Sequence, residues 1–470
     1  MGARDIRGRV RGSTAVRRPW GRGGASALML IAACLPASIA AQQAPVVRVM
    51  ESDRVLARDA ALALVEPRPA AHPSDPGRMV VGTIAVSPES DGAWHCAVYS
   101  TVDGGAQWVG QALPTGRCID PWPLVHPDGS ASLWVIELRD DAEGPDIFRA
   151  VRFDAPAVGA AWREIPDTSL SRRHDHLLAV PGREPNSLVL ASRHMHLDEA
   201  GFERHRVWVG TGKLDSPLSD TFLTPSQLGL NATGIAVLPT GRIVVGFWDF
   251  QRNVEGFGRE GMLWSARGWV VVSDDGGRTF SAPDVAADAC ASGLEGAFPG
   301  YPFLSGDATP ASAYAGNVYH ACVRPGLDGI SFSRSSNEGE TWSDPMRLAP
   351  PSSTVSVSNA RTPMLAVAPD GSIGVAWYER GADPEGACQQ VWFAGSSDGG
   401  ASFSEAVRVS TEASCPDRPE NGRAGRSWSA GGDYSSMVAD ADGRFQLVWA
   451  DSRDGRFHLR RALIACCNAP

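Results

Sequence analysis

The sequence has almost no lysine. Of its 43 basic residues only Lys213 is not an arginine, a bias that reads as GC-rich coding and not as mechanism. It also lacks any extended stretch of helical periodicity, which leaves an all-β fold. There is no nucleophile elbow with a Ser-His-Asp set and no phosphate-cradling glycine loop, which excludes those two routes to hydrolase and nucleotide chemistry. No two cysteine pairs share finger-like spacing and no histidine cluster completes one, so no metal is assigned, and no cofactor. The one conspicuous apolar run, ALMLIAACLPASIA from Ala27 to Ala40, is too short and too rich in small residues for a spanning helix.

That run is preceded by Arg4, Arg7, Arg9, Arg11, Arg17, Arg18 and Arg22. A basic region, a short apolar segment and small residues form a secretory signal over residues 1–40, with Ser38 and Ala40 suited to cleavage after Ala40. Ile31-Ala32-Ala33-Cys34 supplies a second reading, a lipobox with Cys34 as the lipidated residue, and Arg17-Arg18 is a twin-arginine candidate. The protein is therefore exported, periplasmic or extracellular, and meets a membrane only if Cys34 carries a lipid. Removing residues 1–40 takes seven arginines and one aspartate from 43 basic and 53 acidic residues, leaving 36 against 52, a net charge of −16. Such a balance excludes a nucleic-acid binder that relies on phosphate attraction. Eight cysteines follow residue 40, an even number that fits export. Spacing suggests the local bridges Cys96–Cys118, Cys290–Cys322 and Cys388–Cys415, with Cys466 and Cys467 left as neighbours.

Residues 41–470 read as one long repeat and not as several domains. An apolar strand, a turn often written Asp-Gly and a second strand rich in Val, Ile and Trp recur, as in PMLAVAPDGSIGVAWYER from Pro363 and SMVADADGRFQLVWADSR from Ser436. Seven such phrases open near Glu66, Asp120, His174, Asn231, Phe298, Ala360 and Asp433, spaced by 54 to 73 residues. This is the scale of a four-stranded propeller blade. The reading is an all-β propeller of four-stranded antiparallel blades, seven in number, six being the alternative because units one and three are degenerate. The last unit holds only three strands; VVRVMES, near the mature N-terminus, supplies the fourth and closes the ring.

A second motif overlies the first. SDDGGRTF (Ser273–Phe280) has close variants in TVDGGAQW from Thr101, SSNEGETW from Ser335 and SSDGGASF from Ser396. Each follows a strand and is placed at the hairpin between a blade's third and fourth strands. Asp103, Asp275, Asn337 and Asp398 accept bonds from turn amides, glycine permits positive φ and the aromatic ring packs back between strands. These repeats resemble the Asp boxes, or bacterial neuraminidase repeats, of the sialidase superfamily. In that family they mark the propeller rim away from the ligand site and have a structural role.

The resemblance implies a site. Sialidases hold the sialate carboxylate with three arginines and attack with a tyrosine that a glutamate activates, an exception among retaining glycosidases. Carried over residue by residue, Arg68 is the first arginine, although its setting VEPRP lacks the family's aromatic and isoleucine. Arg252 in FWDFQR resembles the second and Arg361 in SNARTP the third. Asp91 stands where the acid/base aspartate belongs, and Tyr434 in GGDYSSMVADADG matches the nucleophile. The partner glutamate is missing: NATGIAVLP carries none on its strand, and Glu295 and Glu379 are loose substitutes. Each residue has a plain alternative as a turn aspartate, a loop charge or a strand-end salt bridge.

His174, His176, His194, His196 and His205 crowd one unit. His-x-His on a strand places both rings on one face, which would suit a metal or, with Arg or Tyr, proton abstraction from a uronic acid. The fifteen tryptophans read mostly as core, with some left to stack on sugars. Two function classes follow: a glycan-recognising propeller without a complete sialidase site, or a glycoside hydrolase of exo-sialidase type acting on sialylated or other acidic glycans. Both take a glycan or glycoconjugate as partner.

Overall fold

A computed structural model describes residues 45–467 apart from 88–93, 142–143, 167–172, 202, 225–228, 250–264, 292–298, 353–358 and 382–386. Seven four-stranded antiparallel sheets form a β-propeller. The innermost strands of blades 1 to 7 are Ala63–Ala71, Arg117–Val125, His174–Pro181, Leu230–Val237, Phe303–Gly306, Ala360–Val367 and Ser436–Ala439. Each packs against the next, and that of blade 7 returns to that of blade 1. The ring therefore has seven blades and not six.

Alternation decides what faces what. The second strands, such as Ile373–Arg380 and Phe445–Asp451, are buried almost throughout because neighbouring blades cover both faces. The cores lie between blades. Tyr319 and Phe332 of blade 5 pack with Trp377 and Trp392 of blade 6, and Phe393 of blade 6 meets Phe445 of blade 7 at 5.5 Å. Trp134, Trp248, Trp377 and Trp449 are fully buried in these layers.

Val47–Ala57 pairs antiparallel with His458–Cys466 as the outermost strand of blade 7. Charge reinforces the closure: Arg453 reaches Asp53 at 2.8 Å, Arg461 reaches Glu51 at 2.8 Å, and Arg460 donates to the Asp53 carbonyl at 2.8 Å. Disulfides join Cys96–Cys118, Cys290–Cys322 and Cys388–Cys415, and the neighbours Cys466–Cys467 are joined to each other.

The four Ser/Thr-x-Asp/Asn turns join third to fourth strands in blades 1, 4, 5 and 6. Asp275 accepts from Ser273 Oγ and from the amides of Arg278 and Thr279, each at 2.9 Å. Asn337, which has an amide where the others have a carboxylate, donates from Nδ2 to Thr341 Oγ1 at 2.9 Å. First and third strands run in the same direction, so these turns lie at the end where the inner strands finish. The opposite end, where the inner strands begin, is built differently.

Candidate functional site

At their starts the inner strands share a defect. Pairing with the second strand slips between Val65 and Arg68, Ile119 and Trp122, Asp175 and Leu178, and Arg361 and Met364. In each gap one residue has positive φ: Glu66 (54°), Asp120 (53°), His176 (51°) and Thr362 (48°). Such a conformation costs a non-glycine residue energy and is characteristic of working sites. Proline follows Glu66, Asp120 and Thr362 and removes an amide donor where the ladder is interrupted anyway. In three of these gaps the bulge brings Glu66, Asp120 and His176 to a common ring.

Tyr301 and Tyr434 complete the ring from blades 5 and 7. Tyr434 Oη donates to Asp120 Oδ1 at 3.1 Å, and Asp120 Oδ2 accepts the His176 amide at 2.9 Å. Glu66 Oε1 accepts the Asp433 amide at 2.9 Å, and the Tyr301 amide donates to the Asp433 carbonyl at 3.1 Å. The His176 ring lies 4.0 Å from that of Tyr301 and 5.7 Å from that of Tyr434. Arg68 lies beneath: its guanidinium is 3.8 Å from the Tyr434 ring centre and 4.0 Å from that of Trp122, and Nη1 donates to Ser436 Oγ at 3.2 Å. Arg193 pairs with Asp175 beside the ring. Gly432, at φ +132°, passes over Glu66 so closely that a Cβ there would strike its side chain.

Burial dominates the electrostatics. It raises Glu66 well above the usual carboxylate range, helped by the charges of Asp433 and Asp120. Burial also raises Asp120, against the stabilising bonds from the His176 amide and the Tyr434 hydroxyl. Asp433 is pushed up to about 6 by burial and by Asp120. Tyr434 is driven up by burial and by Glu66 and Asp120, while burial and Arg68 hold His176 neutral. Burial thus favours the protonated form of the ring's carboxyls, and a phenol so placed would ionise only with a base beside it.

Of the residues singled out from the sequence, Arg68 and Tyr434 come together. Asp91, Arg252 and Glu295 lie outside the described residues. Arg361 is buried at the start of its strand, where Nη1 donates to the Ala360 carbonyl at 3.3 Å beside Glu379 and Arg380. Glu379 is engaged by Trp377 Nε1 at 3.0 Å and by the Asn359 amide, within blade 6. It is not the tyrosine's partner. That partner is Asp120 of blade 2, which the sequence offered only as a blade opening. Glu66, Asp120 and Tyr301 did carry a signal, a ring residue followed by proline in EPRP, DPWP and YPF. Asp103, Asp275, Asn337 and Asp398 belong to the turns at the other end.

The histidines divide. His174 and His176 do not share a face, because the bulge at His176 breaks the alternation that would align them. His174 Nδ1 meets Ser192 Oγ at 2.7 Å and its ring packs on Trp208, whereas His176 enters the ring. His194 and His196 stack with centres 6.1 Å apart, and His205 bonds Glu203 at 2.9 Å. Among the described residues the one compact set of ligand-type atoms is Cys290, His320 and Cys322, whose sulfurs are joined in a disulfide and are not thiolate ligands.

No family model and no curated protein matches the chain. Solved structures similar to it include a protein of unknown function from Dyadobacter fermentans, 14% identical, covering 89% of this chain and 98% of that one with a TM-score of 0.49. The GH93 α-L-arabinofuranosidase of Fusarium graminearum is 12% identical over 77% of this chain and 98% of its own, with a TM-score of 0.48. The NanB sialidase of Streptococcus pneumoniae is 12% identical over 88% and 70%, with a TM-score of 0.41.

Proposed function

We propose that this propeller is an exported protein that acts on neutral glycans as a retaining glycoside hydrolase, with the ring at the start of the inner strands as its reactive centre. The observation that carries the reading is the 3.1 Å bond from Tyr434 to Asp120 within a group of acids that also holds Glu66 and Asp433. Burying several carboxyls together costs stability, and groups so perturbed concentrate where chemistry is done. In this reading Asp120 takes the phenolic proton as Tyr434 Oη attacks the anomeric carbon. Asp433, with a pKa of about 6, gives its proton to the departing oxygen. Water then releases the sugar from tyrosine with the proton movements reversed.

Charge argues for a neutral sugar. Glu66, Asp120, Asp433 and Asp175 stand against Arg68 and Arg193, with Arg68 sandwiched between rings and Arg193 engaged by Asp175. Three arginines open to a sialate carboxylate are not assembled among the described residues. A second reading, glycan recognition without turnover, is favoured by the tight packing of Tyr434, which is 2% exposed.

The test is hydrolysis of neutral aryl glycosides and of an aryl sialoside by the mature chain, Tyr434→Phe and Asp120→Asn, with folding checked by circular dichroism. The hydrolase reading expects turnover of a neutral glycoside, reduced by roughly 10²-fold or more in both variants, and none of the sialoside. Glycan binding without turnover of any substrate would establish the second reading.

A further inference from the structure

Beyond Arg68, away from the ring, the inner strands enclose an axial channel of about 320 Å³, within the size range of small-molecule sites. It runs toward the turns that join first to second strands, so it is separate from the ring and opens at the other end. Leu178, Ile235, Leu304, Leu365 and Met437 make its walls apolar. No acidic side chain lines it among the described residues.

Its inner end is polar and incompletely satisfied. Arg68, 4% exposed, closes it with Trp122, Phe303 and Ser436, and Arg68 Nε has no hydrogen-bond partner among the described residues. Thr233, 3% exposed, lines the same space, and its hydroxyl is also without a partner there. A buried guanidinium can only be satisfied by an acceptor. The carboxyls that neighbour Arg68, Glu66 and Asp120, belong to the ring, so nothing anionic meets it from the channel.

We propose that the axial channel binds a small monocarboxylic acid with a compact apolar body, its carboxylate on Arg68 and the Thr233 hydroxyl and its body against the aliphatic walls. A carboxylate supplies the missing acceptor through a charge-assisted bond, and the body displaces water from apolar surface. An alcohol of the same length would give the second gain without the first. The acid could derive from lipid or from an aromatic precursor; the shared chemistry is a single carboxylate on an apolar body.

Calorimetric titration of the full mature chain with octanoate, 3-phenylpropionate, octanol and octylamine tests this. Octanoate or 3-phenylpropionate should bind at least about tenfold more tightly than octanol, with octylamine weakest. Whichever acid binds better identifies the source. Ser305→Phe, which fills the channel from blade 5 and leaves the ring untouched, should abolish binding, and Arg68→Gln should remove the preference for the acid. Equal affinity for octanoate and octanol, binding that survives Ser305→Phe, or no binding of either acid would overturn the proposal. Hydrolysis is not the readout, so failure here leaves the reading of the ring standing, and failure of that reading leaves this one standing.

Discussion

Tyr434 stands between opposites: a carboxylate on its oxygen and a guanidinium against its ring. The same burial that raises its pKa raises those of Glu66, Asp120 and Asp433, the last to about 6. That has a stability consequence of definite sign. The unfolded chain gives up aspartate protons near pH 4, whereas native Asp433 keeps its proton to about pH 6. The contribution of the protonated Asp433 is complete below about pH 4 and is lost as pH rises through about 6, because the unfolded state then binds fewer protons than the native one. Urea unfolding across that window should show stability falling with rising pH, and Asp433→Asn should flatten the fall. An unchanged slope in the variant would mean that Asp433 titrates as an ordinary exposed carboxylate.

Among the elements, two repeated devices have opposite duties. The Ser/Thr-x-Asp/Asn turns satisfy their own amides and tie third to fourth strands, which asks nothing of the rest of the molecule. The bulged starts of the inner strands do the reverse: they break local pairing and gain from neighbours only when other blades are in place. The strand Val47–Ala57 belongs to neither class, since it joins the two ends of the chain. It covers a sheet edge and brings Asp53 and Glu51 to Arg453 and Arg461. Deleting residues 45–57 should leave Arg461 without Glu51, Arg453 with Asp451 alone, and the edge of blade 7 open. The expected outcome is loss of a single cooperative thermal transition and the appearance of oligomers on size exclusion, and an unaltered monomer with an unaltered melting curve would refute the role.

For the whole molecule, the acidic balance and the four disulfides fit an exported protein, and no described helix is long and apolar enough to cross a membrane. We infer that residues 1–40 are removed on export. Intact-mass measurement of the protein recovered from an exporting host should give a chain beginning at Ala41. A diacylglyceryl mass on a chain beginning at Cys34 would show the lipidated alternative instead.

Blade number, closure by VVRVMES and three of the four disulfides were legible from residue pattern alone, because all three depend on contacts repeated at regular intervals or between near neighbours in the chain. Alternating apolar strands and Asp-Gly turns specify each blade locally, and seven copies leave little freedom in how they are stacked. The candidate site was only half legible. Arg68 and Tyr434 could be named from their motifs, but the tyrosine's partner was sought on the strand of NATGIAVLP and lies instead in DPWP, 314 residues before Tyr434. A bulge that reverses φ at Asp120 and His176, and a ring that brings blades 2, 3, 5 and 7 to one point, follow from closure of the propeller. Local sequence dictates which side chains a blade offers; only the closed ring decides which of them meet, because the meeting is among residues far apart in the chain, each held by a blade that does not contain the others.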